Sequence, residues 1–432
     1  MRGLRASLLA TFLLCLPAAM HGQAESTASV TNTMPSSNFG FNLPSKLGTL
    51  SYSLTASEQI ESGYSGGGVY ATSSLGGNLA YLSKSENNPF SLVYAGGVSF
   101  GDVPGTSTAQ YYQTMAASQV FHTRAWVFVA SDSLSYLPNS PTSGLSGVAG
   151  VGDVGIFPGQ GTIGPPPGIL TTSSSRIYNG LSGSATWQTT PNLDFEGSGS
   201  WGITHFLGSD PGNNDNEISA SAGPNYRIDS RNSVGASVTY SRVTYPQSSN
   251  YLIETQGVSI SYNRAWSRRL STTFAFGPAR TYGTTSAPIP SQVNLTGSAG
   301  VTYATRTTGF FASYDRAVNA GSGVIFGSLS DSVSAGMNRP INRDWILGLD
   351  LGFSHSLSIA PTQGVYPSYD SIFGAAQISR RLTESLSVFA SYTAISQSAK
   401  NPVPTQVNVF NGTNNVFGLG ITFSPAPLLS GR

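Results

Sequence analysis

The chain has 432 residues, with 21 basic and 20 acidic side chains and a formal net charge of +1, so it offers no basic field for nucleic acid. Only 9% of its residues are charged, against about a quarter in ordinary soluble proteins, while 50 Gly, 21 Phe and 20 Tyr are present, so something other than surface charge must keep it from aggregating. The single cysteine, Cys15, excludes intramolecular disulfides and cysteine metal sites.

Arg2 and Arg5, then an apolar core over residues 8–16, then small residues leading to Ala24, have the layout of a secretory signal, with cleavage expected after Ala24. Cys15 falls inside that signal and follows Leu14, where a lipoprotein carries a small residue, so lipidation is not expected. No later stretch offers the roughly 18 consecutive apolar residues that a membrane helix needs. Residues 25–47 form a short polar segment, periplasmic or lumenal, too small for a plug domain.

From residue 48 to 423 the chain alternates between segments patterned with a period of two and connections that are by turns short and long. Short connections are expected at 84–89, 123, 190–192, 229–232, 267–269, 305–307, 340–344 and 381–384. Long ones are expected at 59–66, 101–109, 137–174, 208–216, 246–250, 283–289, 319–324, 360–368 and 399–413. The count predicts a transmembrane antiparallel up-and-down β-barrel of about 18 strands, with 14–18 compatible with the pattern, and with both chain ends on the short-turn, periplasmic side.

The faces are clearest where Trp345, Leu347, Leu349, Leu351 and Phe353 alternate with Gly348, Asp350, Gly352 and Ser354, which assigns the first set to lipid. Periodicity alone cannot say which face is outside, since a soluble sandwich alternates too. Tryptophan position discriminates: Trp126, Trp187, Trp266 and Trp345 all fall beside expected short turns on the apolar parity, as in an aromatic belt at a membrane interface. Eleven arginines also flank the short turns, among them Arg227, Arg264, Arg339 and Arg380. Either these are solvated turn residues, or they form a rim that meets an anionic partner such as polysaccharide or peptidoglycan. Asp132, Arg242 and Arg280 break the pattern by falling on the lipid parity, so each sits at the outer interface, snorkels or marks a bulge.

The histidines of the exported chain are His122, His205 and His355, and none pairs with a serine at two-residue spacing on its own face. Alternation sends Ser354 and Ser356 away from His355. The three lie at different expected levels, so neither catalysis nor a metal site is expected, and no cofactor is. Parity instead places four acids inside as pore-lining candidates: Asp350 at mid-strand, Asp194 and Glu196 near the periplasmic mouth and Asp315 near the outer one. Their neighbours are mostly Ser, Thr, Gly and Asn, which suit neutral polar solutes or sugar chains. The longest connection, 137–174, is expected to be extracellular, and is either a surface loop or a lid folded into the lumen.

Residues 416–423 (VFGLGITF) alternate Phe417, Leu419, Ile421 and Phe423 with Val416, Gly418, Gly420 and Thr422. The run resembles the C-terminal assembly signal of outer-membrane barrels, carried here by Gly418, Ile421 and Phe423, and implies the barrel assembly machinery as a partner. Residues 424–432 are expected to be a C-terminal tail. Segments such as SVGASVTYSR, VSISYNRAWSRRLSTTFAFGP and LTESLSVFASYTAIS resemble the Ser/Gly-rich outer-membrane β-barrels of Gram-negative bacteria, porin-like or associated with exopolysaccharide export. That resemblance implies residence in outer-membrane lipid, no catalytic residues, and a water-filled pore for small polar or sugar-like solutes. The alternative it leaves open is a non-enzymatic component of an exopolysaccharide secretion or envelope assembly.

Overall fold

The structure, a computed structural model, describes residues 47–63, 68–85, 87–101, 109–137, 175–207, 213–247, 251–283, 289–321, 325–361, 365–400, 411–426 and 428–429. The expected signal, most of the polar N-terminal segment and the 137–174 connection beyond Leu137 lie outside these residues.

Period-two sequences give eighteen long strands in order. They are β1 (Thr49–Ser62), β2 (Val69–Leu82), β3 (Phe90–Gly101), β4 (Ala109–His122), β5 (Trp126–Leu137), β6 (Ser175–Thr190), β7 (Leu193–Leu207), β8 (Asp215–Arg227) and β9 (Asn232–Tyr245). The second half comprises β10 (Tyr251–Ala265), β11 (Leu270–Gly283), β12 (Gln292–Ala304), β13 (Gly309–Asn319), β14 (Ser328–Pro340), β15 (Trp345–Ser358), β16 (Ser368–Arg381), β17 (Leu386–Lys400) and β18 (Gly412–Phe423). Each pairs antiparallel with its sequence neighbour, and β1 pairs with β18 from Leu54 opposite Phe423 to Ser62 opposite Asn415, so the sheet closes on itself. Closure removes the open edges that would otherwise template aggregation.

Part of the expected tail pairs with the barrel. Residues 428–429 form a two-residue strand, β19, antiparallel to Thr49 and Leu50 of β1, the part of β1 that β18 is too short to reach. The three parity violations also resolve, because the register runs without a shift through Asp132, Arg242 and Arg280. No bulge flips them inward; the irregularity in the β6–β7 pairing lies between Gln188 and Thr190.

One local device recurs at all eight short connections: a Ser, Thr, Asp or Asn side-chain oxygen accepts the backbone N–H three residues on. The pairs are Ser85 and Asn88, Thr123 and Trp126, Thr190 and Leu193, Asp229 and Asn232, Ser267 and Leu270, Thr305 and Thr308, Asn342 and Trp345, and Thr383 and Leu386, all at 2.8–3.1 Å. These residues mimic a backbone acceptor and so close a turn without help from the rest of the fold. The Asp229 carboxylate also accepts from Arg231 N–H and the Asn232 side chain, and these hydrogen bonds hold it below the usual carboxylate range.

The two faces are inverted relative to a soluble β-protein. Apolar residues stand exposed on the exterior, with Leu351 at 65% and Ile260 at 56%, while Thr55, Ser57 and Gln59 on the opposite parity are buried at 4–6%. Glycine lets large inward side chains lie flat on the wall. A Cβ on Gly97 would sit 2.2 Å from the Tyr112 hydroxyl, and one on Gly336 would sit 2.5 Å from Asp350 Oδ1 and 2.2 Å from the Phe311 ring.

Candidate functional site

The inner wall is built from hydroxyls that bond one another across strands. Examples are Thr55 with Thr422 at 3.1 Å, Ser57 with Ser74 at 2.6 Å, Ser131 with Ser182 at 2.7 Å, Ser237 with Ser259 at 2.8 Å and Ser313 with Ser334 at 2.6 Å. Ser198 and Ser221 form a further pair. A hydroxyl both donates and accepts, so each pair satisfies itself and keeps a lone pair for a passing solute.

Asp194, Glu196, Asp315 and Asp350 all have inner-face parity. Asp194 and Glu196 are near the short-turn end of β7, where Arg227 approaches Asp194 at 3.8 Å. Asp315 is toward the long-loop end of β13, in register with Ser332. Asp350 is at mid-strand in β15, its carboxylate over Gly336. Asp194 and Glu196 sit together on β7, but that pair, Asp315 and Asp350 lie on three strands at three levels and do not form one cluster. Glu61, Asp215 and Glu217 share the inner face with them, Glu61 accepting a 2.6 Å hydrogen bond from Asn414 and Asp215 bonded to Thr204. Arg176 and Arg227 are inward too, so acids outnumber bases on the described wall.

Glu61, Asp215, Glu217 and Arg176 went unread in the sequence for a common reason. Each lies near the long-loop end of its strand, and the first two fall in spans expected to be connections. Extending the period-two count by a few residues at each long connection is the signal that finds them.

A second feature has no counterpart in the sequence reading. At the long-loop end an apolar cluster joins Val243 and Tyr245 of β9, Ile253 of β10 and Leu329 of β14 to Ile289, Ala320, Ile359 and Ala360 in the connections. Tyr245 and Ile253 are inward, and Phe326 stands at 5.1 Å from the Tyr245 ring. Tyr245 donates to the Ala320 carbonyl and accepts from Gly327 N–H, both at 2.7 Å. On the other side Ile325 packs against Tyr369 of β16. The β13–β14 connection thus touches the inner wall four strands away at β9 and two strands away at β16, and it narrows the long-loop mouth.

No protein-family model matches this chain, and no curated protein sequence does. Among solved structures it is similar to OccK2 (OpdF) of Pseudomonas aeruginosa at 11% identity and a TM-score of 0.41, covering 89% of this chain and 99% of that one. OccAB3 of Acinetobacter baumannii gives 12%, 0.41, 87% and 99% in the same order. OpdK of P. aeruginosa, solved with vanillate, gives 10%, 0.40, 88% and 99%. Likeness at this level says nothing of what this chain carries, and the barrel rests on its own register.

Trp126, Trp187, Trp266 and Trp345, expected in a belt, lie on the exterior face at the short-turn ends. Trp126 and Trp187, opposite each other in register, stack at 5.5 Å. Arg264 lies 3.8 Å over the Trp266 ring and Arg380 5.3 Å over Trp345. The fifth, Trp201, is exterior at mid-strand. His355 is exterior as well, with Nδ1 2.5 Å from Asp370, while Ser354 and Ser356 are buried on the inner parity. Among the described residues no group of three or more His, Cys, Asp or Glu is placed to hold a metal.

Proposed function

We propose that this protein is a non-enzymatic outer-membrane pore that passes small polar solutes, neutral or cationic, through a water-filled lumen. The observation that carries this is the inverted barrel: an exposed apolar exterior around a hydroxyl-lined wall with an excess of Asp and Glu. An apolar exterior of this kind is stable in lipid and costly in water. Barrels of 16–18 strands leave an aqueous channel unless something fills it. Carboxylates facing that channel attract cations and repel anions, whereas the serine ladders exchange hydrogen bonds with uncharged solutes. The exterior Trp belt supports membrane residence with the short turns on the periplasmic side.

The test is reconstitution of the purified, refolded protein into planar bilayers. Single-channel steps with cations more permeant than anions, and swelling of loaded liposomes in small sugars, are expected. A protein that inserts but never conducts overturns the pore and favours the alternative of an exopolysaccharide or envelope assembly component.

A further inference from the structure

Above its apolar band the barrel exterior turns polar over β9 to β11 and β13 to β17, while β12 keeps Val293 and Leu295 exposed at this level. Arg316, Asp331, His355 and Asp370 follow one another in direct cross-strand register on β13 to β16. His355 lies ten residues from Trp345 on β15, roughly 25 Å along the barrel axis at a strand tilt of about 40°. That is the height of an apolar membrane band, so this row marks its upper edge. Its acids are consumed internally: Arg316 Nη1 and the Tyr314 hydroxyl bond Asp331 at 2.6 Å, and Lys400 Nζ bonds Asp370 at 2.6 Å.

The adjoining strands differ. Glu254 is taken by two tyrosines, Tyr240 donating to it at 2.8 Å and Tyr282 bonding it from β11. Arg242 stands across from Glu254, yet neither it nor Arg280 comes within 4.0 Å of a carboxylate among the described residues, and both are exposed. Arg280 Nε donates to Ser291 Oγ at 3.0 Å, and its guanidinium lies 5.8 Å from the centre of the Tyr282 ring. Two exterior positions below these arginines, past Tyr240 and Pro278, lie some of the most exposed apolar side chains of the exterior, Val238 at 59% and Phe276 at 58%, with Val258 at 55% opposite Val238.

We infer that Arg242 and Arg280 hold the phosphate-bearing headgroup of a membrane lipid, whose acyl chains run down the strip formed by Val238, Val258 and Phe276. An arginine pair matches phosphate geometry and charge. A free anion uses the arginines but not the apolar strip, and an acidic protein segment uses neither the strip nor its depth, so an amphiphile fits both halves. The inference rests on the membrane reading above.

Native mass spectrometry of the detergent-solubilised barrel tests it, with lipid A, phosphatidylglycerol and phosphatidylcholine as probes. The wild type is expected to retain lipid A or phosphatidylglycerol adducts over phosphatidylcholine. Arg242→Gln with Arg280→Gln should weaken that retention on the order of thirtyfold. Arg264→Gln at the opposite end should leave it unchanged, and heat-modifiable gel mobility confirms that each variant is folded. Equal retention of all three lipids, displacement of lipid by an equal concentration of inorganic phosphate, or a wild-type dimer lost in the double variant each overturns the inference. A wild type that fails to partition into liposomes at all overturns the membrane reading instead.

Discussion

Thr305 shows how much a single side chain settles in this fold. Its hydroxyl accepts from Thr308 N–H at 2.8 Å and donates to Thr308 O at 3.1 Å, so the β12–β13 turn carries its own closure. Thr305→Val keeps the shape and removes both bonds, and is expected to cost about 1 kcal/mol in urea unfolding from liposomes. Asp229 gives the same device a pH dependence. Its folded pKa is depressed below the unfolded value of about 3.9, so its contribution is fully present above that value and is lost as pH falls through the folded pKa. On the proposed pore function, Asp350 acts on the permeant instead. Asp350→Asn keeps its volume over Gly336 and removes its charge, so cation preference in planar bilayers should fall while the unfolding midpoint stays in place. Unchanged reversal potentials in a conducting Asp350→Asn channel would remove Asp350 from the permeation path.

At the scale of the strand, the pleat makes every substitution a test of which side faces lipid. Leu351→Arg, on the most exposed position of β15, should destabilise by about 2–4 kcal/mol at bilayer depth, while Ser313→Asn on the inner face of β13 should stay within about 1 kcal/mol. Equal costs in reversible unfolding into liposomes would mean that the two faces do not see different solvents. The strands were legible because their signals are local: the alternation of Trp345 to Phe353 and a Ser, Thr, Asp or Asn at the head of every short turn. Strand ends at the long connections were not. Asp215 and Glu61 continue the ladder past the point where Gly, Ser and Asn suggest a loop, because partners on other strands, Thr204 and Asn414 among them, fix those ends, and such contacts leave no trace in a local window. Asp132 was readable as an anomaly and not as an outcome. Only the unbroken register through Leu181 and Ala117 shows that it stays outside, where Asn179 Nδ2 donates to it at 3.0 Å.

For the whole molecule, the question is how a barrel of this girth is kept from being a simple hole. Sequence pattern directed attention to the 137–174 connection, since length and apolar content are the marks of a lid. The described bridge is elsewhere, in the β13–β14 connection, whose shortness hides it: its hold on the wall comes from Tyr245 and Tyr369, residues more than 40 positions from it in the chain. Tyr245 is the anchor. Tyr245→Phe leaves the ring in its place against Phe326 but strands the Ala320 carbonyl and the Gly327 N–H in a buried site, a local penalty of about 1–3 kcal/mol. Released on that side, the connection should swing off β9, so that single-channel conductance rises and Gly327 N–H loses protection from hydrogen exchange, with the strand amides still protected. Global unfolding is a different outcome, visible as loss of protection along β9 and β10 as well. If conductance and Gly327 protection both stay at wild-type values, the apolar cluster around Ile253 and Ile359 holds the connection without the tyrosine hydroxyl, and the width of the mouth is set by packing alone.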